Sequence, residues 1–97
     1  AFGVHIHKTE HPLGPDELRF CDYVNHILQF VTETMSQTVD DAVFDQHIAQ
    51  ANSWEDEIAH AKHNTNIQRM ALIHNIAHVS RELLEEAHRL QQVHEEG

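Results

Sequence analysis

Apolar residues along this chain recur at spacings of three and four in three consecutive blocks, the period of helices that turn one side inward. In the first block Phe20, Val24, Ile27 and Val31, joined by Tyr23, Leu28 and Phe30, form one wide stripe. Gly14-Pro15-Asp16-Glu17 precedes it. Proline suits the first helical position, and the two acids complement the positive end of the helix dipole. The pattern predicts a helix from about Pro15 to Gln37.

A second helix is expected to begin at Thr38-Val39-Asp40-Asp41, which resembles a capping box with Asp in place of Glu. Val43, Phe44, Ala51, Trp54 and Ile58 form its inward face. Asn52-Ser53 interrupts the run, and Ser53-Trp54-Glu55-Asp56 could cap a separate helix; one kinked helix to about His63 is the simpler reading. Thr65-Asn66-Ile67-Gln68 fits the S/T-x-x-E/Q capping box and starts a third helix reaching about Glu96, roughly 48 Å long at about 1.5 Å per residue.

The third helix is apolar on two sides. Leu72, Ile76, Val79, Leu83, Ala87 and Leu90 make its main stripe, while Ile67, Met70, Ala71 and Ala77 lie on a second face in its first half. A helix apolar all round wants cover on every side. The expected fold is therefore all-α: an antiparallel three-helix unit with a long C-terminal helix, covering residues 15–97 and pairing with a second copy into a larger helical bundle. Residues 1–14 are read as a separate extended arm, because Gly3, Pro12 and Gly14 break helix and Val4-His5-Ile6-His7 alternates.

Ninety-seven residues make one domain near the small end for independent stability, which favours partnering. A formal charge of −10 argues against nucleic acid and anionic membranes, since the six basic residues are scattered. No apolar run reaches the ~20 residues of a membrane helix, so no membrane insertion is expected. The chain opens on Ala1, consistent with removal of a leader and a secreted, periplasmic or organellar location, and equally with trimming.

Histidine changes the picture most. There are eleven, against six Lys plus Arg and one Cys. Histidine is the commonest metal ligand and the side chain whose unperturbed charge changes between about pH 5 and 8. Eleven added protons would take the formal charge from −10 to +1. His74 and His78 stand one helical turn apart, a spacing at which two imidazoles chelate one Zn, Cu, Ni or Co ion, and Glu82 lies one turn further. Two copies meeting there would gather four imidazoles.

His47 falls inside the second helix's stripe and is expected to be buried, level with His26 and His78. A cluster of all three needs the third helix sandwiched between neighbours; the alternative is a hydrogen-bonded core histidine. Glu57/His60 and Glu85/His88 match the E-x-x-H unit of di-iron bundles, but their levels differ by about 22 Å along the axis, so one chain cannot close that centre. His5, His7 and His11 sit in the arm, His63 suits a helix C-terminus, and His88 and His94 read as solvated.

Catalytic motifs are missing: Cys21 lies beside Asp22 without electropositive neighbours, and neither a phosphate loop, G-x-S-x-G nor H-E-x-x-H occurs. The sequence thus points to a non-catalytic, transition-metal-binding helical protein for storage, sensing or delivery, with ligands drawn from His74, His78, Glu82, His47 and His26. Iron or two-histidine haem ligation is a variant of this reading. The alternative is an acidic helical interaction module or accessory subunit whose histidines tune association with pH and which needs no metal.

Overall fold

The computed structural model describes residues 14–61 and 67–96, which form three helices: α1 (Pro15–Ser36), α2 (Asp41–Ala61) and α3 (Ile67–Glu96). Neighbours in sequence run antiparallel. Tyr23 stacks on Trp54 and Phe30 on His47 between α1 and α2, while α2 and α3 meet through Glu55 with His78 and Asp41 with His88. Helix α3 is the longest and packs against both others. The arm, with His5, His7 and His11, lies outside the described residues, as do His63 and the first half of the third capping box.

Local chemistry fixes the helix starts. Gly14 caps α1, Pro15 follows, and the Glu17 carboxylate accepts the Gly14 N–H at 2.7 Å. Glu17 is almost fully buried because its Oε1 also meets Arg69 Nη1 of α3 at 3.2 Å, tying the cap to the third helix. The cap of α2 is Asp40, not Thr38: Asp40 Oδ1 accepts the Ala42 N–H at 3.3 Å, and its carbonyl accepts from Val43 and Phe44. A carboxylate one residue before the helix reaches the second helical N–H directly. Helix α2 continues unbroken through Asn52-Ser53, where Asn52 donates to the Ile48 carbonyl one turn back.

The core divides into two apolar layers. Phe20, Val24, Ile58, Met70, Ile73 and Ala77 form one; Ile27, Phe30, Val31, Phe44, Ala51 and Leu84 form the other. Helices α1 and α2 bury the stripes expected of them, although Leu28 is partly exposed. Helix α3 does not. It turns Met70, Ile73, Ala77, Ser80 and Leu84 inward, and the stripe richest in Leu, Ile and Val faces out. Leu72, Val79, Leu83, Leu90 and Val93 are each about half exposed (47 to 59%), and Ile76 is 42% exposed. The small Ala77 and Ser80 suit a close helix crossing. Ser80 satisfies its hydroxyl within the helix, donating to the Ile76 carbonyl at 2.7 Å.

Candidate functional site

Between the two apolar layers lies a polar one. On α2, Ala51, Glu55 and Ile58 follow one another at helical spacing, so the carboxylate of Glu55 interrupts a buried stripe. On α3, Arg81 stands between Ala77 and Leu84 and meets it: Arg81 Nε donates to Glu55 Oε1 at 2.5 Å. The other carboxylate oxygen takes His78 Nδ1 at 2.8 Å and lies 4.0 Å from His74 Nε2. Beyond this core, Glu82 Oε2 is 3.4 Å from His78 Nε2, and Glu85 pairs with Arg81 Nη1 at 3.0 Å.

Burial sorts these groups. Arg81 and Glu55 are mostly covered (15 and 17% exposed), His74 is about a quarter exposed, and His78 and Glu82 are more open. Burial alone would raise the Glu55 carboxyl, but hydrogen bonds from Arg81 and His78 outweigh it and hold the group below the ordinary carboxylate range. Arg81 moves the other way, its cation favoured chiefly by the Glu55 hydrogen bond. The pair is thus charged throughout the neutral range and bridges α2 to α3.

Of the five expected residues, the structure brings three near one another. His74, His78 and Glu82 do share one flank of α3, and Glu55 joins them from α2. That flank faces α2 rather than a seam made with the small apolar residues: Ala71 and Ile67 are exposed, and Met70 and Ala77 belong to the core. Arg81 occupies the middle of the cluster, and its guanidinium opposes a second cation beside Glu55. Among the described residues, no group of three or more His, Cys, Asp or Glu is arranged to hold a metal ion.

His26 and His47 sit elsewhere. Both line an open groove of about 660 Å³ between α1 and α2, with Trp54 and Leu84 also on its walls. His47 is exposed, not buried; its ring lies flat on Phe30 at 3.7 Å between centroids. By helical spacing it lies inside the stripe, between Val43 and Trp54, but that part of the stripe borders the open groove, where the imidazole covers Phe30. His26 is tilted against Trp54 at 5.9 Å. The level cluster of His26, His47 and His78 does not form, because His78 is turned to Glu55.

The E-x-x-H carboxylates are engaged separately, Glu57 with Arg19 and Tyr23 and Glu85 with Arg81. His88 is not a solvated residue: its ring is 14% exposed, stacks on Phe44 at 4.5 Å and places Nε2 2.9 Å from Asp41 Oδ1. Cys21 is half-buried, and burial, with Asp22 and Glu17 adding to it, pushes its thiol upward, away from the thiolate. Among the described residues no helix is long and apolar enough to cross a membrane.

Sequence reasoning missed Glu55, and the signal was present. A lone acid at the Ala51–Ile58 spacing, in a stripe otherwise apolar, must find a cation or leave the core. Arg81 stands at the matching place on α3. No family model matches this chain, and neither a curated protein nor a solved structure matches it.

Proposed function

We propose that this protein is an acidic helical interaction module whose working surface is the outer face of α3. One observation carries the reading: six large aliphatic side chains between Leu72 and Val93 stand half in water along one side of a 30-residue helix. Scattered exposed aliphatics are ordinary, but a row of six on one helix face, interrupted once by Glu86, marks a binding surface. The fold supports its own core without them, since both apolar layers close on other residues. The Glu55–Arg81 pair with His78 fixes α3 against α2 and so holds the row in place.

The test is a comparison of stability in dilute solution. Val79→Glu/Leu83→Glu leaves folding cooperative and costs under about 1 kcal/mol, as expected for solvent-facing positions, while Leu84→Ala costs several-fold more. A double variant that unfolds overturns the reading, because the row is then core.

A second reading keeps His74 and His78 as ligands, because both imidazoles and the Glu82 carboxylate share one flank with Glu55. Loading a metal there requires Arg81 to release Glu55. Sub-micromolar Zn, Cu or Ni binding that His74→Ala/His78→Ala abolishes supports it; millimolar binding unchanged in the variant removes it.

A further inference from the structure

We infer that the outer face of α3 is covered by the same face of a second copy, the two helices running antiparallel. This rests on the reading of that face as a docking surface and names its occupant. The row has alternating steps of four and three, 72-76-79-83 and then 90-93, with Glu86 at the remaining place. That is the a/d seam of a helix pair, and a seam can cover itself through a twofold axis.

Charge decides the direction. In a parallel pair Glu86 would meet Glu86 of the second copy inside the apolar seam, placing like charges directly opposite. In the antiparallel pair Leu83 meets the stem of Glu86, whose carboxylate is already held by its own Arg89. The same arrangement brings Val79 onto Leu90 and Ile76 onto Val93 of the other copy. It also sets Glu82, on the open flank of the row, opposite Arg89 of the second copy, and the symmetry repeats that pair. Both side chains are well exposed (58% each), and the Arg89 guanidinium, with donors beyond the two that hold Glu86, reaches across without releasing it.

The area suits a weak dimer. Met35 of α1 is 80% exposed and shares a groove with Ala87 and Leu90, and Leu28 lies two turns before it on the same side. The apolar strip therefore spans α3 and the adjoining flank of α1. At about 32 Å long, one helix width of ~10 Å across and widened by α1 over about 10 Å, it falls below the roughly 800 Å² per partner of a standard interface, the size of a weak, reversible dimer.

Sedimentation equilibrium of the whole chain tests this. The wild type is expected to be a dimer at tens of micromolar and Val79→Glu/Leu83→Glu a monomer. Glu82→Lys and Arg89→Glu should each weaken the dimer about tenfold, and the combination Glu82→Lys/Arg89→Glu should recover most of the loss. A wild type that stays monomeric at 200 µM, with a folded double-Glu variant, overturns the self-pairing and leaves the docking reading intact. A monomer whose double-Glu variant unfolds overturns both, the row then being core. A dimer insensitive to the double-Glu change overturns the inference, and charge reversals without recovery overturn the antiparallel arrangement.

Discussion

Removing the Glu55 carboxylate should reveal how much of the α2–α3 contact one charged group holds. The side chain accepts from Arg81 at 2.5 Å and meets His78 at 2.8 Å, and Arg81 is 15% exposed. Hydrogen bonds to charged groups contribute about 1.5–3 kcal/mol each, and a fully buried pair broken by deletion loses about 3–5. Arg81 keeps Glu85 as a partner at 3.0 Å, which offsets part of the loss. Glu55→Ala is therefore expected to cost about 2 kcal/mol, or roughly 8–16 °C in Tm for a domain of this size. Glu55→Gln keeps the shape and neutral hydrogen bonds and should cost about half as much, since charge-assisted bonds are roughly twice as strong.

The pH dependence gives the sharper reading, with Arg81, His74 and His78 all facing this carboxylate. Its folded-state pKa is depressed. Its contribution is thus fully present above the unfolded value of about 4.3 and is lost as pH falls through the lower folded value. Urea unfolding of wild type and Glu55→Gln should show the full gap at pH 6 and a closing gap towards pH 3. A gap missing at pH 6, or unchanged at pH 3, would refute the assignment of Glu55 as the charged tie between α2 and α3.

The two faces of α3 should differ under truncation. Leu84→Ala, at a fully buried position beside Phe30 and Phe44, should cost about 3 kcal/mol, against under about 1 for Leu83→Ala in dilute solution; equal losses in denaturant titrations would contradict the packing. Cys21 should alkylate more slowly at pH 8 than in the urea-unfolded chain, because burial and nearby acids raise its pKa; a faster native rate would contradict this.

Much of the fold was legible because α1 and α2 each carry one apolar stripe, so periodicity alone identifies what they bury. Helix α3 carries two, and there the strongest signal misled. The Leu72–Leu90 row holds more Leu, Ile and Val than the Met70–Leu84 face, yet the latter packs. Close contact between helices selects small residues such as Ala77 and Ser80, which a hydrophobicity reading undervalues. The pairing of His74 and His78 followed from one-turn spacing on a single helix. Their partner Glu55 is 23 residues from His78 in sequence, and only the packing of α2 on α3 brings it there. His47 was misplaced because periodicity puts it inside the α2 stripe, whereas the packing of α1 on α2 leaves an open groove at that point of the stripe.

The claim on which this account turns is that α3 faces inward with Ile73, Ala77 and Leu84 and outward with Leu72, Val79 and Leu83. Single cysteines placed at these six positions in a Cys21→Ser background, reacted with a thiol reagent at submicromolar protein concentration, report that orientation directly. The account predicts rapid labelling at 72, 79 and 83 and strong protection at 73, 77 and 84. Protection of 79 and 83 in the dilute monomer, with 73 and 84 open, would contradict it.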